Sequence, residues 1–165
     1  MTEEDLDREL WSLAARWRLG RVDWRDLEAY GLRALLGGRE SDSTVELASV
    51  NASVTRAAEL GALITAALAE AGVQLPSELE AARVVAGDIE AEVLSGERSP
   101  YQAAEFLWRL TYDYPATEAL FQPFVGLASE YEDAIQSEDV IEWRSDLDKE
   151  ILGALREIEN AGAGG

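Results

Sequence analysis

Between residues 43 and 71 the chain reads STVELASVNASVTRAAELGALITAALAEA. Leu47, Val50, Val54, Ala57, Gly61, Ile64, Leu68 and Ala71 recur at spacings of three and four. That period belongs to one face of an α-helix. Ser43 stands where an N-cap should be, with Glu46 three residues on, and Gly72 marks a stop. The spacing predicts one long central helix over about 44–71. Many residues of its seam are small, so a neighbouring helix can approach closely.

Helical periodicity continues on both sides, and no stretch alternates convincingly at period two. A first helix is expected over about 3–19, with Thr2 and Asp5 as a capping box and Gly20 as its stop. A second is expected over about 24–36, capped by Asp23 and ended by Gly37 and Gly38. Beyond the central helix, VQLP turns the chain and Ser77 with Glu80 opens a helix over about 78–94. The next begins sharply, with Ser99 as cap, Pro100 at the first helical position and Gln102 reaching back, and stops before Tyr114-Pro115. After a short ATEALFQ element, two more are expected, over about 123–135 and 138–160, and residues 161–165 read as a frayed tail. The fold class is all-α. Six or seven helices are expected in a single bundle around 44–71, as one domain over 1–165, divisible into sub-lobes 1–40 and 41–160.

One echo runs through the chain. GRVDWRDLEAYGLRAL (Gly20 to Leu35) and GERSPYQAAEFLWRL (Gly96 to Leu110) each place a Gly after a helix and a polar cap three residues later. A helix with aromatics and an Arg follows in both. Any two helical hairpins could share that plan, and duplication is the alternative.

Composition excludes much chemistry. The chain has no His and no Cys, so disulfides, thiolate or imidazole metal sites and Ser–His or Cys–His catalysis are ruled out. With 47% hydrophobic residues in 165, the chain can build a core despite a formal net charge of −19. No run approaches the roughly 20 apolar residues that span a bilayer. The acidic opening MTEEDLDREL does not read as a signal peptide, and a cytoplasmic location is the expectation. Residues 1–39 carry seven Arg against eight acids, while the remainder carries seven basic residues against 25 acids. Such a field repels nucleic acid and anionic membranes and suits a cationic partner.

The stretch from Pro123 to Asp139, PFVGLASEYEDAIQSED, carries Glu130, Glu132, Asp133, Glu138 and Asp139, with Glu142 just beyond. In the first of the two last helices, Phe124, Leu127, Ala128, Tyr131 and Ile135 should face inward. In the second, Val140, Trp143, Leu147, Ile151, Leu155 and Ile158 should do so. Glu130 and Asp133, then Asp139, Glu142, Asp146 and Glu150, should point outward. Glu130, Asp133, Asp139, Glu142 and Asp146 are the candidate partner-binding residues, and a plain solvated face is the alternative. A Mg²⁺ site needs only oxygen ligands. Glu130-x-x-Asp133 matches half of the paired motif of all-helical pyrophosphohydrolases, but no Glu-x-x-Glu first half accompanies it. Neither metal nor cofactor is therefore expected, and no catalytic residue is assigned.

Arg8, Arg16, Arg18, Arg21 and Arg25 interleave with Trp11, Trp17, Trp24 and Tyr30 near the N-terminus. Such interleaving can serve nucleic acid. In a segment that is not net positive, core aromatics with Arg paired to nearby acids is the preferred reading. An exposed Trp11–Trp24 patch for a protein partner is the other.

GRVDWRDLEAYGLRALL and LSGERSPYQAAEFLWRL resemble the turn and aromatic-rich helix of small bacterial immunity proteins of the self-protective, colicin type. Leu94 to Asp133 also resembles short uncharacterised helical bacterial proteins. The first likeness implies a cytoplasmic, cofactor-free acidic protein that neutralises a basic toxin, often a nuclease, and it carries over no specific residue. The leading expectation is a non-catalytic immunity- or antitoxin-type binding protein. A helical scaffold or regulatory module comes second, and a Mg²⁺-dependent all-α phosphohydrolase third. Oligomeric state is not encoded in any motif.

Overall fold

The structure is a computed structural model that describes residues 2–53, 56–135 and 140–162. Those residues form eight α-helices and one 3₁₀ turn, with no strand among them. They are α1 (Glu3–Arg18), α2 (Trp24–Leu36), α3 (Asp42–Ala48), α4 (Ala57–Ala71), α5 (Glu78–Ser95), α6 (Pro100–Asp113), α7 (Glu118–Ile135) and α8 (Val140–Gly162), the 3₁₀ turn being Pro115–Thr117. The caps follow the sequence closely. Thr2 with Asp5, Asp23 with Asp26 and Ser99 with Gln102 each form a reciprocal capping box.

The long central helix is not present. The chain leaves the helix at Ser49, the C-cap of α3, and re-enters at Ala57 after an extended Arg56. Short polar side chains explain the break. The Ser49 hydroxyl bonds the Val45 carbonyl at 2.8 Å, and Asn51 Oδ1 accepts from the Ser53 amide at 3.0 Å. Such local bonds offer the backbone an alternative to the helical ladder. The start also moves, because Ser41 rather than Ser43 caps α3. Val54, one member of the expected seam, lies outside the described residues. A second difference concerns Pro123, which sits inside α7 rather than at its start. The C-terminal helix runs on to Gly162, past the expected tail boundary.

The chain divides into two compact units, Met1–Ser77 and Glu78–Gly165. The division falls at Ser77, and α2, which ends before residue 40, packs on α3 within the first unit. In that unit α1 packs on α2 and α4, α2 on α3 and α4, and α3 on α4. Its core is built from Leu6, Leu10, Leu13, Leu27, Tyr30, Leu47, Ile64 and Leu68, with Trp17 and Trp24 against it. Close approach is needed at two glycines. A Cβ on Gly61 would fall 2.2 Å from the Trp17 ring, and one on Gly31 would fall 2.2 Å from the Ala48 nitrogen.

The second unit has the same pairing scheme. There α5 packs on α6 and α8, α6 on α7 and α8, and α7 on α8. The correspondence reaches individual positions. The caps Asp23 and Ser99 differ by 76 in number (99 minus 23), and so do Gly20 and Gly96, both at positive φ, and the first residues Asp42 of α3 and Glu118 of α7. Leu6, Leu10, Leu13, Leu27 and Ala34 are buried, and so are Ala82, Ala86, Ile89, Ala103 and Leu110 at the same offset. On the fourth helix the buried Leu60, Ile64 and Leu68 match Leu147, Ile151 and Leu155, now offset by 87 (147 minus 60). The two units thus share one pairing scheme, and part of the buried register of their helices agrees, in line with the Gly20 and Gly96 echo.

The largest difference between the units lies at their third helices. α3 has 7 residues and α7 has 18. α8 begins at Val140, four residues before the position that matches the start of α4. Residues 125–143 therefore stand where the first unit has residues 49–56, and are eleven residues longer (19 minus 8).

Candidate functional site

That excess segment contains Glu130, Glu132, Asp133, Glu138, Asp139 and Glu142 and no basic residue. The matching connection in the first unit, residues 49–56, has no acid and one Arg. Over the whole units, the first carries 8 basic residues against 13 acids and the second 6 against 20. The charge asymmetry is thus concentrated on the elaboration.

Phe121, Phe124, Ala128 and Ala134 of α7 are buried, with Phe121 and Phe124 edge to face at 6.3 Å. Burying that face leaves Glu130, Glu132 and Asp133 exposed. On α8, Leu147, Ile151, Leu155 and Ile158 are buried, while Glu142, Asp146 and Glu150 are exposed. Glu130 and Asp133 therefore lie near the end of α7, and Glu142 and Asp146 near the start of α8, on two helices that pack together. The fifth candidate, Asp139, lies outside the described residues, as does the side chain of Val140. Two acids are engaged internally. Glu132 accepts from the Tyr101 hydroxyl at 3.1 Å, and Lys149 donates to Asp146 at 2.9 Å. The Tyr101 ring stacks on Tyr131 at 5.0 Å. Desolvation, then the Glu132 bond, pushes the Tyr101 phenol above its usual range. The Tyr131 phenol is raised by desolvation and by Asp148. Both rings are thus neutral posts that support the hairpin.

Trp143 departs from the expected inward placement. It is 40% exposed, and Ile141 is 87% exposed. The position matches Arg56 of the first unit, an exposed N-cap outside the shared core (143 minus 87). Among the described side chains of α8, the first buried one is Leu147. Helical spacing alone assigned Trp143 inward, because residues 143 and 147 are one turn apart.

The aromatics of the first unit are held as the composition favoured. Tyr30 is buried, and Trp11, Trp17 and Trp24 are half-buried. Arg25 sits over the Trp24 ring at 4.8 Å and bonds Asp23. Arg33 pairs with Glu9, and Arg39 with Asp7 and the Tyr30 hydroxyl. A polar cleft of about 540 Å³ opens among Asp7, Tyr30, Arg39, Ser41, Thr44 and Glu70. Its side chains are bonded to one another across 27 to 32 residues of chain, so no local motif announced it. Ser43 donates to Glu70 at 2.5 Å, and the hydroxyls of Ser41 and Ser43 hold the Glu70 carboxyl below its ordinary range.

Among the described residues no three carboxylates converge as a ligand set for a metal ion, so Glu130 and Asp133 stand without a facing pair. None of the described helices is long and apolar enough to cross a membrane. Comparisons with protein-family models, curated proteins and solved structures find no match to this chain.

Proposed function

We propose that this chain is a non-catalytic binding protein that takes a cationic protein partner on the α7–α8 hairpin. The form suggested by the immunity-protein likeness is inhibition of a basic toxin. One observation carries the reading: six acids and no basic residue lie on the segment that is longer in the second unit than in the first. Glu130, Asp133 and Glu142 are exposed there, and exposed Trp143 and Asp146 lie in the same turn of α8 as Glu142. Like charges at helical spacing cost a few tenths of a kcal/mol per pair. A core-building hairpin gains nothing from them, whereas a surface that attracts a cation does. Carboxylates of this kind act chiefly on encounter rate and specificity.

The test uses the full chain as bait in its native host, followed by kinetics with the partner recovered. The variant combines Glu130→Gln, Asp133→Asn, Asp139→Asn, Glu142→Gln and Asp146→Asn. The association rate should fall by about tenfold in the variant at low salt. Raising salt should slow the wild type more than the variant, since the Debye length is only about 8 Å at physiological ionic strength. A partner whose association rate is the same for both proteins at every salt concentration overturns the proposal.

A further inference from the structure

Resting on that reading, we infer that the α7–α8 face recognises arginine in particular, with a partner guanidinium stacked on Trp143 and bonded to the carboxylates beside it. The indole is the independent feature. Its counterpart in the first unit is Arg56, so the fold does not require an aromatic there. Its 40% exposure leaves a ring surface open at the start of α8. Asp146 and Glu150 follow it at three and seven residues, and Glu142 and Asp146 are four apart, so all lie on neighbouring rows of one helix. An open π-face next to a row of carboxylates matches the two faces of a guanidinium. Its plane stacks on the ring, and its edge donates paired hydrogen bonds to a carboxylate. A lysine ammonium is a compact charge that takes the carboxylate but matches the ring less well.

The chain itself makes such contacts. Arg25 lies 4.8 Å from the Trp24 ring centre and also bonds Asp23, and Arg98 lies 5.0 Å from the Phe106 ring while bonding Glu92 at 2.6 Å. Arginine, aromatic ring and carboxylate thus come together at both of these places. At Trp143 the ring and the acids are present at the surface, and the arginine is what a partner would supply. Lys149 is the cation near this row, bonded to Asp146 with both side chains more than two-thirds exposed. Exposed pairs of that kind contribute little, so an incoming guanidinium displaces it easily. Ile141 is two residues from Trp143 and so lies on the other flank of the helix, outside this face.

The probes are two blocked eight-residue peptides of equal charge, one with four Arg and one with four Lys, each spaced by Gly. Binding to the full chain is measured by calorimetry at low salt. The arginine peptide should bind about fivefold more tightly. Trp143→Leu should bring it down to the lysine level, and Trp143→Tyr should keep most of the preference. Circular dichroism on both variants checks that the helices persist, and Trp143→Tyr keeps an aromatic ring at the partly buried position. Glu142→Gln with Asp146→Asn should weaken both peptides together. Equal, salt-sensitive binding of the two peptides to wild type overturns the arginine inference and leaves the acidic-face reading standing. A preference that survives Trp143→Leu overturns it as well. If neither peptide binds, both readings fail.

Discussion

Gly31→Ala tests how tightly the first unit is assembled. In an isolated helix the change would help, since Ala exceeds Gly by about 1 kcal/mol in a helix interior. Here the added methyl would meet the backbone of α3, with Ala48 N at 2.2 Å, the Leu47 carbonyl carbon at 2.6 Å and Ala48 Cα at 2.7 Å. Carbon contacts settle near 3.5 Å, so α3 must retreat by about 1 Å. Backbone cannot rotate aside as a flexible side chain can. α3 is also anchored, by the Ser41 cap, by Ser43 on Glu70 and by a fully buried Leu47. Overpacking of this kind costs about 1–3 kcal/mol, and the upper end applies because three backbone atoms are struck. Subtracting the propensity gain leaves a net loss of about 2 kcal/mol. Urea unfolding followed by circular dichroism should show a midpoint lowered by about 1 M. Gly87→Ala is the control, since a Cβ there meets nothing within 4 Å and the residue lies inside α5. That variant should gain up to about 1 kcal/mol. A Gly31→Ala protein as stable as wild type, or a Gly87→Ala protein destabilised to the same extent, would show that the α2–α3 approach is not what fixes residue 31 as Gly.

Two further outcomes can be stated. Glu70 has a carboxyl lowered in the folded state from its ordinary 4.5, so its contribution is present above that pH and disappears as pH falls through the folded value. Glu70→Gln should flatten the acid limb of the stability curve between about pH 5 and pH 3, and an unchanged limb would remove Glu70 as a stay of α3. Glu90 is a carboxylate whose side chain is only 9% exposed, receiving Arg156 Nε at 3.1 Å. Arg156→Ala should cost about 1 kcal/mol, modest because Arg156 is 58% exposed. Adding Glu90→Gln should recover part of that loss by removing the stranded charge, and strictly additive losses in the double variant would refute the pairing.

The helices were legible because their ends are written in local chemistry. Thr2, Asp23 and Ser99 each bond an amide two or three residues away, and a reader of the sequence sees both partners at once. The central helix was misread for the opposite reason. Its apolar seam keeps helical spacing straight through residues 49–56, while the Ser and Asn side chains there divert the backbone, and periodicity counts only the first of these. Exposure of Glu130, Asp133, Glu142 and Asp146 followed from the buried stripes opposite them, so that part of the candidate site was readable. Trp143 was not, because whether a helix's first turn has a neighbour depends on the length of the adjoining helix. The unit-one cleft of Asp7, Tyr30, Arg39 and Glu70 was invisible for a related reason, as its members meet only through tertiary packing.

The likeness of the two units was nearly hidden because they share a pairing scheme and only part of their buried register, and not residue identity. Leu6 is matched by Ala82, Gly31 by Leu107, Tyr30 by Phe106 and Ala14 by Glu90. Volume has moved between facing helices: where the first unit brings backbones together at Gly31, the second fills the same place with a buried leucine. A core tolerates such exchange as long as total volume and pattern hold. Surface charge is under no such constraint, so it can follow use. If the acid served solubility alone, both copies could carry it, and their exposed faces offer similar room. Instead the first unit holds 13 acids against 8 bases and the second 20 against 6, with six acids and no base inside residues 125–143. Residues 125–135 and 140–143, within that stretch, make α7 and α8 longer than α3 and α4. A longer connection that carries charge and an exposed indole on the outer side of helices whose other face is buried is where a binding surface can change without unfolding the scaffold beneath it.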